Sequence, residues 1–310
     1  DGLFSAMLKA ITDGELQRGE EYFKKLQESE IDVIQKLRNE TVYHYFRYKN
    51  GDQQALDQLV ELTKRTENTP TALTTVLWFL GASYEASSNF QKAIEVYSQA
   101  IPKCETDKGS AQFFVAIAKC LYHVGDKQAA YSLLLKQIEE KNTSESLFVL
   151  YEGLAELYRY DDEWELRAIA LEKGLIEKPN DTGTRFAAAY AYSEAGLTNL
   201  SILHYQSLIN VQPKYDVALN NIAVEYSRAN LTITATSYYE KAVALNSTLA
   251  AANLAFQYLN AGFAEDARRI LANARIQQEV HANVGSAITN LAAKEEKENL
   301  VKEEIVETAR

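Results

Sequence analysis

Apolar residues recur along this chain at intervals of three and four, the spacing that gathers them on one face of a helix. One stretch reads Leu77-x-x-Leu80-Gly81-x-x-Tyr84, followed by Ala93-x-x-x-Tyr97 and Ala100. The same order then returns. A small residue follows an aliphatic one at Gly81, Ala118, Ala155, Ala189, Ala223 and Ala255, at intervals of 37, 37, 34, 34 and 32 residues. Three residues after each comes a large side chain: Tyr84, Leu121, Tyr158, Tyr192, Tyr226 and Tyr258. Twelve residues after each small position stand Ala93, Ala130, Arg167, Ser201, Ala235 and Ala267, and four further on Tyr97, Leu134, Leu171, Tyr205, Tyr239 and Leu271.

This spacing predicts helical hairpins. A small residue on the shared face lets the partner helix approach closely, and the bulky residue one turn later fills the space beside it. Turn residues fall between the halves at Gly125-Asp126, Asp161-Asp162, Gly196 and Gly262. Pro179 and Pro213 stop second helices, because proline cannot continue a helix. One hairpin of this size cannot bury its own apolar stripe, so neighbours must stack into an all-α solenoid with a curved inner surface.

The ends repeat less clearly. Within residues 1–72, Leu3, Met7 and Ile11 share a face, Asp13-Gly14 is a turn, and Leu16, Tyr22, Phe23, Leu26 and Ile31 continue the pattern. Asn50-Gly51-Asp52 then separates Tyr43, Tyr45, Phe46 and Tyr48 from Leu56, Leu59, Val60 and Leu62, which reads as two divergent N-terminal hairpins. Residues 277–310 set Ile288, Leu291, Leu300, Val301 and Ile305 among dense Lys and Glu, as a capping helix or a connector would.

The register of residues 73–276 closely resembles the tetratricopeptide repeat (TPR) family, whose pattern is W-x2-L-G-x2-Y, then A-x3-F, then P. Six units begin near Thr74, Ala111, Phe148, Thr182, Asp216 and Thr248. The second has Leu121 where Tyr is usual and the third Arg167 where Ala is usual; the first and second units are 37 residues long, so their turns or helices must absorb three extra residues. The resemblance implies a TPR-type α-solenoid, a right-handed superhelix of stacked antiparallel hairpins. It also implies that the first helix of each hairpin lines a concave groove for a protein or extended peptide ligand. On that reading the partner-binding residues are Trp78, Lys119, Tyr122, Glu156, Arg159, Phe186, Tyr190, Asn220, Asn221, Arg228, Asn253 and Phe256. Asn221 and Asn253 take the sixth position of consecutive units, as rungs of an asparagine ladder that could hold a peptide backbone by amide hydrogen bonds. The clamp that some relatives use for chaperone tails is not expected: its Lys and Asn positions hold Trp78 and Ala82, and Ala116 stands where the next Asn belongs.

Composition narrows the function without naming a partner. The 310 residues include only 13 Gly and 4 Pro, too few turn formers for a β-sandwich, and 46% hydrophobic residues, too many for disorder. Thirty-two basic against 43 acidic residues leave a net charge of −11, which disfavours phosphate backbones, so no nucleic-acid partner is expected. No apolar run is long enough for membrane insertion. Cys104 and Cys120 have no CxxC partner, so the expectation is reduced thiols in a cytoplasmic protein with no metal and no cofactor. The sequons at Asn39, Asn142, Asn199, Asn230 and Asn246 read as coincidence in a chain without a visible leader, and the lone Met7 reads as a sign of a piece of a longer polypeptide.

No catalytic constellation assembles. His44, His123, His204 and His281 are scattered, with His204 expected on an outer face, and Asp161-Asp162 serve a turn. The chain thus reads as a non-catalytic interaction module. Two other readings stand beside it: the sensor or regulatory arm of a multidomain signalling or defence protein with a covalently linked effector domain, and a self-associating scaffold acting as a homo-oligomer.

Overall fold

The computed structural model describes residues 2–140 and 143–308, apart from the side chain of Val306. It forms two units, residues 1–180 and 181–310, each with its own cores. Seventeen α-helices and no strands occur among the described residues.

The first unit holds α1 (Gly2–Thr12), α2 (Leu16–Ser29), α3 (Val33–Lys49), α4 (Gln54–Arg65), α5 (Pro70–Ala86), α6 (Phe90–Ala100), α7 (Asp107–His123), α8 (Lys127–Glu139), α9 (Ser144–Tyr160) and α10 (Trp164–Glu177). Local chemistry sets where these helices start. The side chains of Asp32, Asn89, Thr106, Asp126 and Thr143 accept hydrogen bonds from the first-turn amides of α3, α6, α7, α8 and α9, and Pro70 opens α5. The turns after α7 and α3 place Gly125 (φ 94°) and Gly51 (φ 96°) in the left-handed region, which glycine enters without steric cost.

The hairpin of α5 and α6 closes around the small–large pairing that the repeat announces. A methyl on Gly81 would lie 2.3 Å from Cε1 of Tyr97, so the tyrosine ring of α6 rests directly on the backbone of α5. Gly153 of α9 likewise receives Val115 of α7, whose Cγ2 would stand 2.4 Å from an added Cβ. A core of Leu59, Leu62, Leu77, Leu80, Tyr97, Phe113 and Ile117 runs through α4 to α7. Met7, Ile11 and Tyr43 form a smaller one near the N-terminus, with Phe23 stacked on Tyr43 at 4.1 Å.

The second unit holds α11 (Thr182–Glu194), α12 (Thr198–Val211), α13 (Asp216–Arg228), α14 (Thr232–Val243), α15 (Thr248–Ala261), α16 (Ala264–Arg275) and α17 (Ala282–Thr308). Tyr205, Tyr239, Leu208, Ile222 and Leu254 build its main core. The long α17 packs Val284, Ala287 and Leu291 against α15 and α16, and beyond them Leu300 and Ile305 are exposed.

The first 37-residue interval is absorbed by helix and connection together, with six residues (101–106) between α6 and α7 where four (212–215) join α12 to α13, and the second is absorbed by helix. First helices α5, α7 and α9 have 17 residues each and begin one turn before Thr74, Ala111 and Phe148, whereas α11 and α13 have 13 and begin at Thr182 and Asp216. Helices α10 and α12 stop at Glu177 and Val211, just ahead of Pro179 and Pro213. His204 departs from the expected outer face. It is buried, with its ring stacked on Tyr192 at 5.5 Å, because an imidazole has enough apolar edge to pack inside a hairpin. Asn39 is buried within α3, where Gln35 donates to its side chain, and Asn142 lies outside the described residues.

Candidate functional site

In the first unit the candidate residues lie on α5, α7 and α9. Trp78 stands 36% exposed at a position where the neighbouring Leu77 and Leu80 are buried. Its indole packs in a T-shaped contact with Phe113 at 5.4 Å and tilted against Tyr97 at 5.7 Å, so the ring is held by two aromatic neighbours and still partly exposed. It walls an open cavity of about 510 Å³ between the first half of α5 and the start of α7, lined also by Thr71, Thr74, Thr75, Cys104, Glu105, Thr106, Gly109, Gln112 and Phe113.

Behind Trp78, the hydroxyl of Tyr97 donates to Oε1 of Glu85 at 2.5 Å. Burial, with the Glu85 carboxylate beside it, holds that phenol far above its ordinary pKa, so it stays protonated. Burial also pushes the Cys120 thiol up to about 12, which makes it an unreactive packing group.

Lys119 is half-buried on α7. On α9, Arg159 grips Glu156 through two bonds of 2.9 and 2.6 Å and holds its carboxyl below the usual range, with the Lys119 ammonium lowering it further. Tyr122 is turned away from a free position: its hydroxyl donates to Oδ1 of Asp161 at 2.6 Å.

In the second unit Phe186 is half-buried between Tyr205 (5.7 Å) and Tyr215 (5.5 Å), while Tyr190 is 39% exposed. Phe256 is half-buried against the core that α15 and α16 share with α17. The amides depart from the expected ladder. Asn220 is only 2% exposed and cannot present itself on a wall. It forms instead the centre of a relay: Asn253 donates to Asn220 (2.9 Å), Asn220 to Asn221 (3.1 Å), and Asn221 to the hydroxyl of Tyr205 (3.0 Å). Asn221 and Asn253 are therefore joined through Asn220 and not stacked as independent rungs. A buried amide must find partners, and the neighbouring amides are the polar groups within its reach. Arg228 is about half exposed and folds back on Ser193 (2.7 Å) and Glu225 (2.8 Å).

No protein-family model matches the chain, and no curated protein matches it in sequence. Among solved structures, the C-terminal part of a TPR repeat-containing protein from Cytophaga hutchinsonii is similar at 14% identity with a TM-score of 0.57, over 80% of this chain and 98% of that one. Human IFIT1, solved as a dimer with m7Gppp-AAAA, is similar at 13% identity with a TM-score of 0.50, over 92% of this chain and 70% of that one. The chain has the tetratricopeptide-repeat fold.

Within the TPR frame, two polar clusters escape a sequence reading. Asp161, the residue that ends α9, accepts from Tyr122, from Tyr131 (2.7 Å) and from the Lys127 ammonium. The Lys127 contact, then the Tyr122 hydroxyl, holds its carboxyl down at about 2. It is a tie between α7, α8 and α9 and not the simple turn residue expected. Glu225 is 1% exposed; its Oε1 accepts from Ser193 (2.6 Å) and Arg228, while its buried Oε2 faces no donor among the described residues. Spacing marks only the Glu225–Arg228 pair, three residues apart on α13; the other partners come from different helices. Among the described residues, no group of His, Cys, Asp and Glu is placed to hold a metal, and no helix is long and apolar enough to cross a membrane.

Proposed function

We propose that the protein is a non-catalytic interaction module in which the first helices of its TPR hairpins hold a segment of a partner protein. The observation that supports this reading is a contrast among aromatic residues. Tyr97 and Tyr205, on second helices, are each 1% exposed, whereas Trp78 and Tyr190, on first helices, are 36% and 39% exposed. A large ring held by its neighbours and still partly exposed loses little entropy when a partner covers it, which is why such rings dominate interface energetics.

The IFIT1 structures of similar fold hold capped RNA oligonucleotides. The net charge of −11 works against a phosphate backbone here and favours a protein ligand. The test is retention of a partner from the source-cell lysate by immobilised protein, compared with Trp78→Ala combined with Tyr190→Ala. Loss of at least about 90% of the retained partner, with unchanged helix content, is expected from removing two anchors. Undiminished retention by the double variant would overturn the reading.

A further inference from the structure

The cavity beside Trp78 has a donor–acceptor pattern that selects its ligand. The hydroxyls of Thr74 and Thr75 donate to the Thr71 carbonyl (3.2 and 3.0 Å), and the Thr71 hydroxyl donates to the Glu105 carboxylate (3.0 Å). A carbonyl or carboxylate oxygen can only accept, so all three hydroxyl protons are committed and these oxygens offer only lone pairs. The Cys104 thiol is spent in the same way on the Ala100 carbonyl, and the Gly109 amide is spent on Thr106. Thr106, Gln112 and the indole N–H keep donors, but Glu105 is the one ionised side chain in the lining. Trp78 also lines the cavity, and an indole ring attracts cations over its face through its quadrupole.

We propose, resting on the interaction reading above, that this cavity takes the guanidinium of an arginine side chain from the partner. Its plane stacks on the ring of Trp78, and its N–H groups reach the Glu105 carboxylate and the threonine oxygens. An ammonium has three donors and no plane to stack; the guanidinium has five in a fixed fork, which fits a wall of several separated acceptors. The chain's net charge of −11 has the complementary sign.

The probe is N-acetyl-arginine-methylamide titrated into the full chain, read by tryptophan fluorescence. The chain has 2 Trp, so Trp164→Phe leaves Trp78 as the sole reporter. A saturable change is expected, absent with the citrulline analogue, weaker with the lysine analogue, and weakened about tenfold in Glu105→Gln, which removes a charge from the contact while keeping its shape. Glu105 is exposed, so this variant leaves the core intact. The proposal is overturned by an unsaturable response, by equal binding of citrulline or lysine, or by unchanged binding in Glu105→Gln. Partner retention separates the two claims. If Trp78→Ala abolishes retention while the arginine probe does not bind, the interaction reading stands and the guanidinium site fails. Arginine binding with retention untouched by Trp78→Ala and Tyr190→Ala sinks the interaction reading instead.

Discussion

Gly81 is where a single atom decides the packing of a hairpin. Replacing glycine by alanine inside a helix ordinarily stabilises by about 1 kcal/mol. Here the new Cβ would stand 2.3 Å from the Tyr97 ring, which is 1% exposed and hydrogen-bonded to Glu85, so the ring cannot swing aside cheaply. Overpacking should outweigh the helix gain, and Gly81→Ala is expected to destabilise by about 1–3 kcal/mol in urea unfolding. A stabilised variant would show that the Gly–Tyr contact is slack. His44 offers a second test at this scale. Burial holds its imidazole down at about 4 against an ordinary 6.5. The unfolded chain therefore takes up the proton first as pH falls, and stability is lost between about 6.5 and 4, by up to about 3 kcal/mol from this group. The loss between pH 7 and pH 4.5 should shrink in His44→Leu; an identical profile in the variant would place the titration elsewhere.

Among elements, the amide relay joins α15, α13 and α12 through Asn253, Asn220, Asn221 and Tyr205. Its centre and its end should behave differently. Asn220→Ala removes the buried centre, takes a partner from both half-buried neighbours and is expected to cost about 1–3 kcal/mol, whereas Asn253→Ala removes a half-buried end and should cost less than about 1 kcal/mol. Thermal melts of the two variants decide it, and equal losses would mean that the relay does not act as a chain. The same residues show what the sequence made legible. Helices and their pairing follow from period and residue size: Gly81 opposite Tyr97, Pro179 and Pro213 after second helices, and a glycine in the left-handed turn at residue 125. The repeat also puts Trp78 and Tyr190 on first helices, where the structure leaves them exposed. Side-chain direction at the polar positions is not legible in that way. Asn220 and Asn221 differ by one position in register, and which of them turns inward depends on what Tyr205 and Asn253 offer from other helices. Asp161 draws on Tyr122, Lys127 and Tyr131, which lie 39, 34 and 30 residues away, so local turn chemistry captures only part of its role. The cavity at Trp78 is hidden for the same reason. Two of its threonine hydroxyls are spent within α5, on the Thr71 carbonyl, but the third bond, from Thr71 to Glu105, exists only once α5 and the segment before α7 are side by side.

At the scale of the whole molecule, charge governs encounter more than residence. A net charge of −11 surrounds the chain with a negative potential, which draws in a cationic segment before any contact forms. If the partner segment carries arginine, raising NaCl from about 0.05 M to about 0.5 M should slow its association roughly tenfold, because the Debye length shrinks from over 10 Å to under 5 Å. Dissociation should change much less, since the guanidinium held between Trp78 and Glu105 is partly shielded from the salt. Stopped-flow mixing with a short arginine-bearing peptide, followed through Trp78, separates the two rates. The Glu105→Gln variant should show the opposite split, keeping most of the association rate, because one charge in −11 alters the long-range field little, and losing the complex faster. An association rate indifferent to salt, or a Glu105→Gln defect confined to association, would mean that the negative field and the cavity do not divide the work of recognition in this way.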